Sequence, residues 1–222
     1  MLALGSRLLF LLVGLGPSLT LGGLCWSSSA FASEHESGGS ALEYGSELRI
    51  LTWKRILESV RTASDQTKLE KINRYFNQLE FVPDAKRWGR SDYWATPVEF
   101  LKSGAGDCED FAVAKYISLL QLGVPVDRLR LVYALAVRRN EAHMVLAYFK
   151  TPQADPLILD NLVADMRPAS RRKDLLLVYS FNNDGLWLTR RNGKSDRVGN
   201  SNRLGAWRDF QERMLGTLAQ TD

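Results

Sequence analysis

Apolar and polar positions repeat with two different periods along this chain. From Leu48 to about Thr62 apolar residues recur at helical spacing, at Leu48, Leu51, Ile56 and Val60. Ser64 or Asp65 then caps a second helix to about Leu79, with Ile72, Tyr75 and Phe76 facing inward. An aromatic and basic loop follows from Phe81 to Trp94. Thr96-Pro97-Val98-Glu99 is a capping box with proline at the first helical position, so a short helix runs to about Lys102. The stretch Gly104-Ala105-Gly106-Asp107-Cys108 opens a longer helix to about Leu122. Phe111, Ala112, Tyr116, Leu119 and Leu120 make that helix apolar on most sides, which predicts a central position. Gly123 and Pro125 end it.

Beyond Pro125 the period becomes two. Leu129–Val137, His143–Phe149 and Leu157–Asp160 read as strands separated by turns. Leu175–Phe181 and Leu186–Arg190 flank Asp184-Gly185 as a hairpin. Residues 191–202 read as a polar loop. A last helix from about Arg203 carries Trp207, Phe210 and Met214 on one face. Helices, then an antiparallel sheet, then a helix is an α+β order.

The first 32 residues depart from this pattern. Arg7 is their only charge, an apolar run spans Leu8 to Leu15, and Ala30-Phe31-Ala32 supplies an A-x-A site. That is the layout of a secretory signal peptide, 1–32. A retained anchor is the competing reading, weakened by Pro17 and the glycines between Leu8 and Leu24. Residues 33–47, with Gly38-Gly39-Ser40, read as a flexible arm that contains His35. Residues 48–222 then form one domain.

Composition adds few constraints. The 222 residues are 45% hydrophobic and 24% charged, and the net charge is +4. Basic residues are scattered, with short clusters such as Arg171-Arg172-Lys173, which does not make a nucleic-acid footprint. Removal of the leader takes Cys25 with it and leaves Cys108 as the single cysteine. A lone thiol in an exported protein is either buried and inert or reactive.

A nucleophilic Cys108 needs a base and a group to orient it. A helix N-terminus lowers a thiol pKa. His35 lies in the arm, so His143 is the imidazole available, and Asp160 ends the next strand at the same edge of the sheet. A structural histidine and a turn aspartate account for the same pair. Asp107, Glu109 and Asp110 crowd Cys108. They serve as caps of a helix N-terminus, or they hold a hard cation such as Ca²⁺. Zinc is disfavoured with one cysteine and one usable histidine. Trp88 and Trp94 either line a groove or pack in the core, and Trp187, beyond the Asp-Gly turn, is a candidate exposed docking residue.

Gly106-Asp107-Cys108-Glu109-Asp110-Phe111-Ala112, then Ala142-His143-Met144-Val145-Leu146, then Leu159-Asp160-Asn161 resembles the bacterial transglutaminase-like cysteine proteinases, in particular their periplasmic adhesin-releasing type. The resemblance spans about Leu48 to the C-terminal helix. It implies a papain-like, transglutaminase-like fold with the cysteine-bearing helix packed on an antiparallel sheet. It implies Cys108 as nucleophile, His143 as base and then acid, and Asp160 as orienter. It further implies Ca²⁺ dependence, with Asp107 and Glu109 as ligands and Asp110 as a third. The implied substrate is a large surface adhesin, cut near its N-terminus at an Ala-Ala site so that cells leave a biofilm. The implied partner is an inner-membrane receptor for cyclic-di-GMP. Two other readings remain beside an endopeptidase: transglutaminase-like acyl transfer, and a non-enzymatic peptide-binding module.

Overall fold

The structure is a computed structural model that describes residues 37–190 and 195–218. The leader and His35 lie outside the described residues. Six α-helices and nine strands are described. The helices are α1 (Ser37–Val60), α2 (Asp65–Phe76), α3 (Asp84–Arg87), α4 (Pro97–Ser103), α5 (Cys108–Gln121) and α6 (Gly205–Leu218). The strands are β1 (Glu80–Phe81), β2 (Ala105–Gly106), β3 (Leu129–Ala136), β4 (Glu141–Tyr148), β5 (Leu157–Leu159), β6 (Arg167–Pro168), β7 (Leu175–Phe181), β8 (Leu186–Thr189) and β9 (Ser195–Gly199). This is the expected α+β order. A seven-stranded sheet runs β6-β5-β4-β3-β7-β8-β9, with every neighbouring pair antiparallel.

Helix α5 is central, as its all-round apolarity predicts. Phe111, Val113, Ala114, Tyr116 and Leu119 are buried. They share one core with Leu129 and Leu131 of β3 and with Met144, Leu146 and Tyr148 of β4. Each large side chain buried there contributes about 1.5–3 kcal/mol. Helix α6 closes the core through Trp207, whose ring lies 5.3 Å from Phe181 and 6.0 Å from Tyr116. A second apolar layer, with Val132, Ala134, Val145 and Ile158, gathers smaller residues of the sheet.

Four expectations change. Helix α1 begins at Ser37, so the segment read as an arm is helical over most of its length. Its buried face is Trp53, Leu57 and Val60, whereas Leu48 and Leu51 are exposed. Trp53 sets this phase, because its indole N–H donates to Ser118 Oγ of α5 at 2.9 Å. Part of the polar loop at 191–202 is strand β9, which pairs with β8. Its polar sequence suits an edge strand, where period-two apolarity is not required. Trp187 is half-buried rather than exposed, with the Arg130 guanidinium 4.0 Å from its ring. Trp94 packs in the core and Trp88 against it.

Two short elements place the site. The capping box is formed: Thr96 Oγ1 accepts from the Glu99 amide at 3.2 Å, and Glu99 Oε2 accepts from the Thr96 amide at 2.8 Å. Helix α4 ends at Gly104, whose φ of 71° needs a glycine. The chain then pairs β2 with β1 in parallel, Glu80 against Ala105 and Phe81 against Gly106. This pairing draws the segment that follows β1, including Asp84, against the start of α5.

Candidate active site

Cys108 is the first residue of α5, where unpaired N–H groups and the helix dipole favour an anion. Gly106 makes the approach possible. A Cβ there would collide with Asp110 Oδ2. Asp110 is fully buried. Its Oδ1 accepts from the Ala95 amide at 2.7 Å, and its Oδ2 accepts from the Asp107 amide at 3.3 Å.

The Cys108 thiol is half-buried and donates to Glu109 Oε2 at 2.9 Å. Burial pushes this thiol well above its ordinary value, and the Glu109 and Asp107 carboxylates push the same way. The Met144 amide acts in the opposite direction. Met144 follows His143, so the thiol lies against the strand that carries the imidazole.

His143 and Asp160 meet as the strand spacing predicts. The β4–β5 register sets Leu146 opposite Leu159, and the next residue, Asp160, faces back towards His143. His143 Nε2 and Asp160 Oδ1 are 2.8 Å apart, and both residues are buried. Asp160 Oδ1 also accepts from the Leu162 amide at 2.9 Å, and Oδ2 accepts from Arg172 Nη2 at 2.6 Å. Arg172 is held in turn by Asp174, 2.7 Å from the same nitrogen. Burial alone would raise the Asp160 carboxyl. The hydrogen bond and charge of His143, the Leu162 amide and Arg172 outweigh it and hold the group at about 2. Asn77 Nδ2 donates to the Asp160 carbonyl at 2.7 Å and fixes the backbone. Lys115 of α5 is fully buried, with its ammonium 5.9 Å from the Phe111 ring. Desolvation lowers it to about 7 against the pull of Asp160.

The carboxylates form one cluster that is larger than the sequence motif. Asp84, Asp92 and Glu109 bring one oxygen each within 4.8 Å of one another, and Asp84, Asp107 and Asp110 do the same. Asp84 Oδ1 and Asp107 Oδ1 are buried without a hydrogen-bond partner among the described residues. Desolvation raises Asp107 to about 10 and Asp110 to about 8, with repulsion from neighbouring carboxylates adding to both, and it raises Asp84 as well. Orphaned carboxylate oxygens in an all-oxygen donor set fit a hard divalent cation. Within this cluster Asp110 has both oxygens on backbone amides, of Ala95 and Asp107, which fixes its position beside Asp107.

All six residues singled out in the sequence thus lie in two adjoining groups. His143 and Asp160 are brought together. Cys108 is joined with Asp107, Glu109 and Asp110. Among the described residues no hydrogen bond links Cys108 to His143, because the thiol's proton is directed at Glu109. The sequence reading missed Asp84, Asp92, Arg172 and Lys115. Asp84 and Asp92 lie within the aromatic and basic loop, and two carboxylates among its cations and rings are the available signal.

The family description "Bacterial transglutaminase-like cysteine proteinase BTLCP" matches residues 51–193. Among solved structures, Legionella pneumophila LapG is 40% identical and is matched in three forms. The EGTA-treated form has a TM-score of 0.70 and covers 81% of this chain and 96% of its own. The form without a stated treatment has a TM-score of 0.69 with the same coverage. The calcium-bound form has a TM-score of 0.68 and covers 81% and 98%. A search of curated proteins gives no significant match. The fold is transglutaminase-like, and the chain belongs to the bacterial transglutaminase-like cysteine proteinases and is a cysteine peptidase.

Proposed function

We propose that this chain is a periplasmic, calcium-dependent endopeptidase that cuts a large surface adhesin near its N-terminus and so promotes release from a biofilm. An inner-membrane receptor that senses cyclic-di-GMP would restrain it. One observation carries the peptidase chemistry: a helix-start thiol lies against the amide that follows His143, whose imidazole is bonded to Asp160. The adhesin and the receptor rest on the sequence resemblance and on the 40% identity to LapG. The periplasmic location rests on the leader pattern in 1–32. Among the described residues no helix is long and apolar enough to cross a membrane.

In this reading Cys108 Sγ attacks the scissile carbonyl carbon, and His143 takes the thiol proton. The oxyanion is stabilised by amides of the first turn of α5, including that of Cys108. His143 gives the proton to the leaving amine. Water, deprotonated by His143, then hydrolyses the thioester and restores the thiol. Asp160 orients the imidazole through Nε2 and stabilises its charged form. Asp84, Asp92, Asp107 and Glu109 would hold calcium, and Asp110 would support Asp107. When bound, the cation offsets the negative charge that opposes a Cys108 thiolate. The calcium-bound form of LapG supports calcium as the ion, and the orphaned oxygens of Asp84 and Asp107 support its place.

The test is incubation with an adhesin fragment that contains an Ala-Ala site, with calcium and with EGTA, followed by N-terminal sequencing. Two fragments that require calcium and disappear in Cys108→Ala are expected. A crosslinked product would instead indicate acyl transfer, and activity retained in Cys108→Ala would remove the proposal. The receptor is tested by co-purification with and without cyclic-di-GMP. Equal recovery in both conditions argues against that partner.

A further inference from the structure

A cavity of about 410 Å³ has in its wall Arg172, which pairs with Asp160 at 2.6 Å. Arg138, Arg139, Arg167, Arg171, Arg172 and Lys173 line it, against a single carboxylate, Asp174. Its walls are the β3–β4 turn, the chain that follows Asp160 and the segment from Arg167 to Leu175. Arg138 and Arg139 belong to the β3–β4 turn, where Asn140 takes a φ of 53° only three positions before His143. Leu162 and Val163, two and three residues after Asp160, line it as well. At about 3.3 Å per residue, Arg139 in its wall is within roughly 13 Å of chain from His143.

The cations here exceed what the protein neutralises. Arg167 pairs with exposed Asp165 at 3.2 Å, and Arg172 is shared between Asp160 and Asp174. Arg138, Arg139, Arg171 and Lys173 are exposed and have no ion pair among the described residues. Arg172 supplies an independent observation. Although buried, it keeps Nη1 without a hydrogen-bond partner among the described residues. Such concentrated positive charge beside the apolar Leu162, Val163 and Leu175 is complementary to an extended anionic chain. The apolar wall favours side chains on a polypeptide over a small inorganic anion.

We infer that this cavity is a substrate subsite for an acidic stretch of the polypeptide, a few residues from the scissile bond. The inference deepens the proposed endopeptidase function and rests on it. Binding there sets an Asp or Glu side chain against Arg138, Arg139 and Arg171, while Arg172 ties the same wall to Asp160. The contribution falls on substrate capture, so it is read in KM rather than kcat.

The experiment compares fluorogenic peptides centred on Ala-Ala. One set carries three Asp or Glu residues placed three to six positions to either side of the bond, and the other carries Asn and Gln at those positions. With calcium present, the wild-type protein should cleave one acidic peptide with kcat/KM about tenfold higher, mainly through KM. The preference should vanish in the R138Q/R139Q/R171Q variant and fall steeply in about 0.5 M salt. The neutral peptide should be cut equally by both proteins, and its cleavage reports the peptidase reading separately. If neither peptide is cut, fluorescence anisotropy with Cys108→Ala protein decides the matter: tighter binding of the acidic peptide, lost in the arginine variant, upholds the subsite. No preference in the wild type, or a preference that survives in the variant, overturns it. Cosedimentation with phosphatidylglycerol vesicles without any peptide preference overturns it in favour of a membrane surface.

Discussion

Replacing Arg172 with methionine probes the support under Asp160. The perturbation removes one buried partner of an ion pair whose side chains are 2% and 0% exposed. Asp160 Oδ2 then loses its 2.6 Å donor, while Oδ1 keeps His143 and the Leu162 amide. Leaving a buried charge half-paired costs about 3–5 kcal/mol, and this is the loss expected in urea unfolding at pH 7. The carboxyl also titrates differently. In the native protein it is lowered from 3.8 to about 2. A depressed acid adds stability above its unfolded pKa and loses it as pH falls through the folded value, so the contribution, about 2 kcal/mol, is present above pH 4 and gone below pH 2. Without Arg172 the carboxyl rises, because burial is no longer fully opposed. The stability lost on acidification shrinks, and the acid limb of kcat/KM moves to higher pH. Arg172→Lys should restore part of both, since it keeps the charge and loses the fork. A loss below about 1 kcal/mol in Arg172→Met with an unmoved acid limb would refute this reasoning.

Two other predictions follow from groups absent from the sequence motif. Lys115 is buried at about 7, below its unfolded 10.5, so the unfolded chain binds the extra proton between those values and stability rises with pH there. Lys115→Met should flatten that slope, which is at most about 1.4 kcal/mol per pH unit; an unchanged slope in pH-dependent unfolding places the titration elsewhere. Asp84→Asn should abolish the calcium-induced rise in Tm, which at a hundredfold excess over Kd corresponds to about 2.7 kcal/mol in the parent protein. A full calcium shift in that variant would move the site away from Asp84.

The period change at Pro125, the capping box at Thr96 and the all-round apolarity of α5 were legible because each is a local pattern. The pairing of His143 with Asp160 was legible for a related reason, since one turn joins their strands. Contacts that depend on packing were not legible. Asp84 reaches the start of α5 only through the two-residue pairing of Phe81 with Gly106, which leaves no periodicity. Arg172 belongs to a cluster that looks like a solvated basic run until the chain folds it under Asp160. The phase of α1 also depended on a distant partner: Leu48 and Leu51 fit a helical stripe, yet Trp53 turned that stripe outward. Strand β9 is an edge strand, so its sequence was free to be polar.

The central claim is that Cys108 is a nucleophile governed by His143 and by the charge of the surrounding carboxylates. Its most direct measurement is the rate of iodoacetamide alkylation at Cys108, followed site-specifically by mass spectrometry across pH with calcium and with EGTA. The account predicts rapid alkylation near neutral pH with calcium, a marked slowing in EGTA, where Glu109 holds the thiol proton, and a comparable slowing in His143→Ala. A Cys108 that reacts like an ordinary free thiol, indifferent to calcium and to His143, would contradict it.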